Sequence, residues 1–280
     1  MRPRSNESIF FFAIYFFDSM TLPNNDARSG SAASARTNGE TFAEAPLDAE
    51  LHEFFEESEV FFPREQAALL AAAAAAVQET DILRACVRVG IRYGAQAIEF
   101  YEILLQTYLF AGFPAALEGL AALKSECARL GVEFIPPAAA NYDVAQFRAR
   151  GDELCRQIYT TAFEKMTVNL HAISPDLAEW MIVEGYGKTL ARPRQAGVST
   201  KLRECAAAIV LATLGSETQL YSHLRGAMNV GATPVECAEL LRIADFLPAR
   251  ADESLQYALR RRIQRARAIL ERLLDAASPL

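Results

Sequence analysis

Apolar positions recur every three or four residues along most of the chain. Strict alternation is nowhere sustained, so the pattern predicts helices and no strands. From Leu47 onward the chain is helical in pattern. The predicted helices run over 64–78, 81–93, 96–111, 113–130, 144–170, 175–186, 201–214, 217–230, 234–246 and 251–276. Short breaks containing Gly or Pro separate most of them, and the clearest linker is Gly131 to Tyr142, with Pro136-Pro137 inside it. The fold class expected from this pattern is all-α.

The best-defined stretch is Ser199 to Phe246. Its first helix is apolar nearly all round after Glu204, the mark of a buried helix, and Glu204 enters it at the first turn. The second sets Leu220, His223, Leu224, Ala227 and Val230 on one face. Gly231 ends that helix. Thr233, Pro234 and Glu236 then spell a capping box with proline at the first helical position. One carboxylate and one imidazole are thus carried by adjacent helices, in apolar surroundings, which is what a proton-transfer pair requires.

Other charged and aromatic positions have plainer expectations. Glu236 is a cap, and Glu102 and Glu239 face solvent. Glu204 alone would read as a complement to the helix dipole. Trp180 and Tyr186 pack in the core. The arginines of the last helix (Arg260, Arg261, Arg262, Arg265, Arg267, Arg272) form a solvated face.

Composition narrows the function. The chain has 280 residues and a net charge of −7, which argues against nucleic acid or a polybasic membrane contact. Cys86, Cys127, Cys155, Cys205 and Cys237 are widely spaced, odd in number and without a CxxC, so buried reduced thiols in a cytoplasmic protein are expected. His52, His171 and His223 are unclustered, so no metal site is expected. Ile9 to Phe17 is apolar but far shorter than the roughly 20 residues of a membrane-spanning helix. Asp18 follows it directly and Ala33-Ser34-Ala35 lies too far on for cleavage. Met20 as the true start is therefore preferred to a short export signal. Residues 1–46 read as a disordered tail.

A shift of 137 residues carries Gly94-Ala95 onto Gly231-Ala232, Glu99 onto Glu236, Glu102 onto Glu239, Arg88 onto Arg225 and Leu83 onto Leu220. Two copies of one helical module follow, over 47–140 and 141–280. The copies differ at two places, since His223 falls on Cys86 and Glu204 on Ala67. The first copy would then be scaffold, or one wall of the site.

The segment SHLRGAMNVGATPVECAELL (222–241) resembles the signature of the carboxymuconolactone decarboxylase family. EILLQTYLFAGFPAALEGL (102–120) resembles the second half of the same module, and SPDLAEWMIVEGYGKTLARP (174–193) the segment that precedes it. The resemblance covers roughly 60–125 and 150–248. It implies an alkylhydroperoxidase D-like helical bundle and a homo-oligomeric ring, such as a trimer of two-module chains. The peroxidase branch keeps a CxxC where this chain has Ser216 and Gln219, and a glutamate and histidine where it has Glu204 and His223. A thiolate is the nucleophile of that chemistry, so its absence counts against a peroxidase.

The decarboxylase branch fits better, with a cofactor-free site and a small anionic substrate. It would act on a carboxylated lactone of aromatic catabolism, with His223 as the acid, Glu204 orienting its ring and Arg225 binding substrate. Arg203 and Tyr186 are weaker candidates. A peroxidase-like antioxidant and a non-catalytic scaffold of the same fold are the alternatives.

Overall fold

The computed structural model describes residues 45–139, 141–192 and 197–277, and among these every regular element is helical. The expectations for Met20, the Ile9–Phe17 run and most of the tail lie outside the described residues. No described helix is long and apolar enough to cross a membrane.

The order is α1 (Pro46–Glu56), α2 (Pro63–Ala76), α3 (Thr80–Arg92), α4 (Ala97–Gln106), α5 (Tyr108–Arg129), α6 (Val144–Tyr159), a 3₁₀ turn (Thr160–Ala162), α7 (Phe163–Ile173), α8 (Pro175–Trp180), a π segment (Met181–Leu190), α9 (Thr200–Leu214), α10 (Glu217–Asn229), α11 (Pro234–Ala244) and α12 (Glu253–Ala277). α2 and α9 pack against each other at the centre. Alanine explains how both fit there: it is the best helix former and has the smallest side chain besides glycine. Ala67 to Ala75 and Cys205 to Ala212 are buried without interruption. α3 lies on α2, α10 lies on α9, and α4, α5, α11 and α12 complete the layer around them.

A smaller apolar cluster joins α6, its following turn and the π segment through Leu154, Cys155, Ile158, Phe163, Ile182, Tyr186 and Leu190. Here two backbones touch. A Cβ on Gly187 would collide with the Phe147 carbonyl, and one on Gly151 with the Ile182 carbonyl. α6 in turn packs on α10.

Several expected boundaries shift. The predicted helix 144–170 is broken at Thr160, whose φ of 50° stops α6. The helix expected over 175–186 runs on to Leu190 by widening into a π turn. α1 lies inside the stretch read as helical from Leu47 but was not resolved as an element. The break expected between 111 and 113 is real, since Gly112 has φ 84° and ψ 169°. The cap at Thr233 is as the sequence predicts, with Glu236 N–H donating to Thr233 Oγ1 at 3.1 Å and Thr233 N–H donating to Glu236 Oε2 at 2.7 Å.

Candidate active site

α9 begins at Ser199, whose side chain accepts the Leu202 N–H at 3.1 Å. Glu204 is therefore the fifth residue of α9, just past its first turn, and is 1% exposed. This depth removes the helix-dipole reading, because that effect fades beyond the first turn. α10 packs on α9 and delivers His223 Nδ1 to within 2.8 Å of Glu204 Oε2. A carboxylate only accepts, so Nδ1 donates and Nε2 is the nitrogen left over. Phe110 stands edge-on to the ring, 5.3 Å between centroids, and fixes its plane.

Gly226, one turn after His223, makes room for the carboxylate. A Cβ there would lie 2.9 Å from Glu204 Oε2 and 2.7 Å from Ile158 Cγ2. The second carboxylate oxygen, Glu204 Oε1, is buried without a hydrogen-bond partner among the described residues. A buried acceptor of this kind costs about 1–3 kcal/mol, so an orphan in a folded protein calls for a functional account.

Two phenols complete the surroundings. Tyr159 ends α6 and Tyr186 sits in the π segment, with their hydroxyls 2.6 Å apart. Burial pushes both phenols above their ordinary range, and the charge of Glu204 pushes the same way, so both stay protonated. Cys155 also lies near Glu204, and burial pushes its thiol up as well.

A cavity of about 140 Å³ is lined by Gly226 and, among others, by Ile158, Tyr159, Tyr221, Ser222 and Arg225. Arg225, expected to bind substrate, is exposed at this cavity and has no ion-pair partner among the described residues. Neither His223 nor Glu204 lines the cavity, but Gly226, where a Cβ would meet the Glu204 carboxylate, does. His223 itself keeps 8% exposure.

Other expectations are corrected. Glu102 and Glu239 are buried, not solvent-facing. Each has an arginine to answer it: Glu102 accepts from Arg192 and Arg203, the latter at 2.6 Å, and Glu239 accepts from Arg242 at 2.7 Å. Trp180 is 57% exposed and not in the core, because it ends α8 three residues after the exposed Leu177, on the same helix face. Tyr186 is in the core as expected. Tyr159 was missed. It lay in what read as one unbroken helix, and no residue type at 160 announces the break.

All five cysteines are free and buried. Burial pushes Cys237 up to about 11 and Cys86 and Cys205 higher still, so none is a ready thiolate.

No curated protein matches the chain. Residues 176–260, from α8 to the first turns of α12, match the model of the Carboxymuconolactone decarboxylase family.

Proposed function

We propose that the chain is a cofactor-independent carboxy-lyase of the 4-carboxymuconolactone decarboxylase type, acting on a small carboxylated lactone or a related acid from aromatic catabolism. The observation that carries this reading is the buried His223–Glu204 pair, with one carboxylate oxygen unused. In the reaction the bond between a ring carbon and its carboxylate breaks. CO2 leaves, and the electron pair passes into the adjoining conjugated carbonyl. His223 returns a proton from Nε2 to carbon and is reprotonated by solvent. Glu204 holds the ring by Nδ1 and balances its charge. Arg225 takes a substrate carboxylate and Tyr159 donates its O–H toward the developing oxyanion in the cavity they line, and because His223 does not line that cavity the reaction requires the wall at Gly226 to open toward the His223 ring.

The thiols support this reading over a peroxidase, since the two CxxC positions are Ser216 and Gln219 and the five cysteines are inert by burial. The chain acts as a homo-oligomer in this proposal, consistent with the exposed Leu177 and Trp180 beside Tyr142 and Val144.

The test is turnover of 4-carboxymuconolactone by the purified chain, followed by loss of ultraviolet absorbance and release of CO2. Turnover that His223→Ala abolishes supports the assignment. Absence of turnover removes the substrate. Turnover indifferent to both His223→Ala and Glu204→Ala removes the site.

A further inference from the structure

A second cavity, of about 270 Å³, lies between α6, the end of the π segment and the start of α9. Arg150, Arg192 and Arg203 all line it. Leu154, Leu190 and Val198 supply an apolar wall, and each of the three is buried.

Two of the arginines carry unused donors. Arg203 is 3% exposed, and its Nη2 donates to Glu102 while Nη1 is buried with no partner among the described residues. Arg150 stacks over the Phe147 ring at 5.2 Å, and its Nε is likewise buried and unpartnered. A guanidinium cannot shed its proton to escape this cost, so an acceptor in the cavity would relieve it. Charge sets the kind of acceptor. Glu102 answers Arg192 and Arg203 from behind, and the exposed Glu153 stands at the rim. Among the described residues, three cations against two carboxylates leave one net positive charge, which a monoanion cancels and a dianion overshoots.

We infer that this cavity is a binding site for the carboxylate of a small monocarboxylic acid, whose apolar body lies against Leu154, Leu190 and Val198. The site does not depend on the proposed reaction. It sits on the face of α6 that carries Arg150 and Leu154, whereas the cavity of Arg225 is lined by Ile158 and Tyr159 at the end of that helix.

The experiment is calorimetric titration of the full chain with benzoate, benzamide and inorganic phosphate, with chemical-shift mapping of the bound state. Benzoate binds with a Kd below about 10 mM, and both neutral benzamide and dianionic phosphate bind at least about tenfold more weakly. Arg150→Gln weakens benzoate at least about tenfold. Arg192→Gln does the same and covers the case in which the first variant fails to fold. Arg225→Gln leaves the benzoate-induced shifts at Arg150 and Arg192 in place. Phosphate binding as tightly as benzoate would overturn the carboxylate assignment. Benzoate binding that survives both Arg150→Gln and Arg192→Gln, or that is lost with Arg225→Gln, would overturn the location. No binding of benzoate at all would overturn the site.

Discussion

α2 with α3 and α9 with α10 are two helix pairs whose bounds can be laid over one another. A shift of 137 residues carries Thr80–Arg92 onto Glu217–Asn229, and it carries the left-handed turn residue Gln78 onto Gly215. The same shift takes the left-handed Gly94 onto Gly231 and the start of α4 onto the start of α11. These matches support the proposal of two copies of one module. The difference lies in what each pair leaves unspent. In α2 and α3, Ala67 and Cys86 are fully buried with nothing to offer, and Arg88 is tied to Asp48 of α1 and to Glu126 of α5. In α9 and α10, the same places hold Glu204, His223 and Arg225. There an acceptor oxygen and a guanidinium have no ion-pair or hydrogen-bond partner among the described residues. One pair has closed its valences, while the other keeps them open.

The largest expected effect tests that contrast directly. His223→Ala should lower kcat on the decarboxylation substrate by about 10²- to 10⁴-fold, the usual worth of a positioned acid or base. Cys86→Ala, its counterpart, should leave kcat within about twofold, because the thiol is inert; steady-state kinetics on both variants decides.

Stability should show a second asymmetry. Glu102→Ala leaves Arg203, which is only 3% exposed, with its charge unanswered from α4. The expected loss is about 3–5 kcal/mol by urea denaturation. Glu239→Ala should cost less than half of that, because Arg242 still has Gln66 Oε1 at 2.8 Å, the Phe54 ring and carbonyl, and Glu57.

The two helix caps differ more mildly. Thr233 takes part in both hydrogen bonds of its box, whereas at Gln96 only the backbone N–H is used, donating to Glu99 Oε2 at 2.7 Å. Thr233→Ala should cost about 1 kcal/mol and Gln96→Ala only a few tenths, read as shifts in thermal midpoint.

The smallest effect is on pH. Burial alone would raise Glu126, but hydrogen bonds from Arg129 and Arg84 and the charge of Arg88 bring it below the usual carboxylate range. Burial likewise opposes, and Lys201 and the Thr233 cap outweigh it, at Glu236. The unfolded chain then binds protons at higher pH than the folded one. Stability from both groups is complete above about pH 4.3, the ordinary glutamate value, and is lost as pH falls through the lowered values. Glu126→Gln should flatten the acid limb of the stability profile, measured by denaturation at stepped pH.

The sequence made the second module legible because its signals are local. A cap, a terminal glycine and an i, i+3, i+4 stripe specify α10 and α11 without reference to anything distant. The pairing of Glu204 with His223 was legible for the same reason, as two adjacent helices with apolar flanks leave few other places for these groups. What was hidden depends on partners far along the chain. Glu102 looked solvent-facing because nothing near it is basic, and the arginines that justify its burial lie about a hundred positions later, at Arg192 and Arg203. The unused donors of Arg150 and Arg203 were hidden likewise, because a donor without a partner shows only once the surroundings are filled in. Tyr159 escaped notice because Thr160 adopts a positive φ with no glycine to mark it.

The glycine contact between α6 and the π segment has one further implication. Where two helices meet through side chains, the chain can slide or re-pack by exchanging one rotamer for another. Gly187 on Phe147 and Gly151 on Ile182 leave no such slack, since peptide lies on peptide. Tyr159 and Tyr186 therefore ride on a joint with a single setting, and the gap between their oxygens is dictated by main-chain geometry. Evolution can retune the residues around that joint freely, but it cannot lengthen the joint itself by even one methyl group.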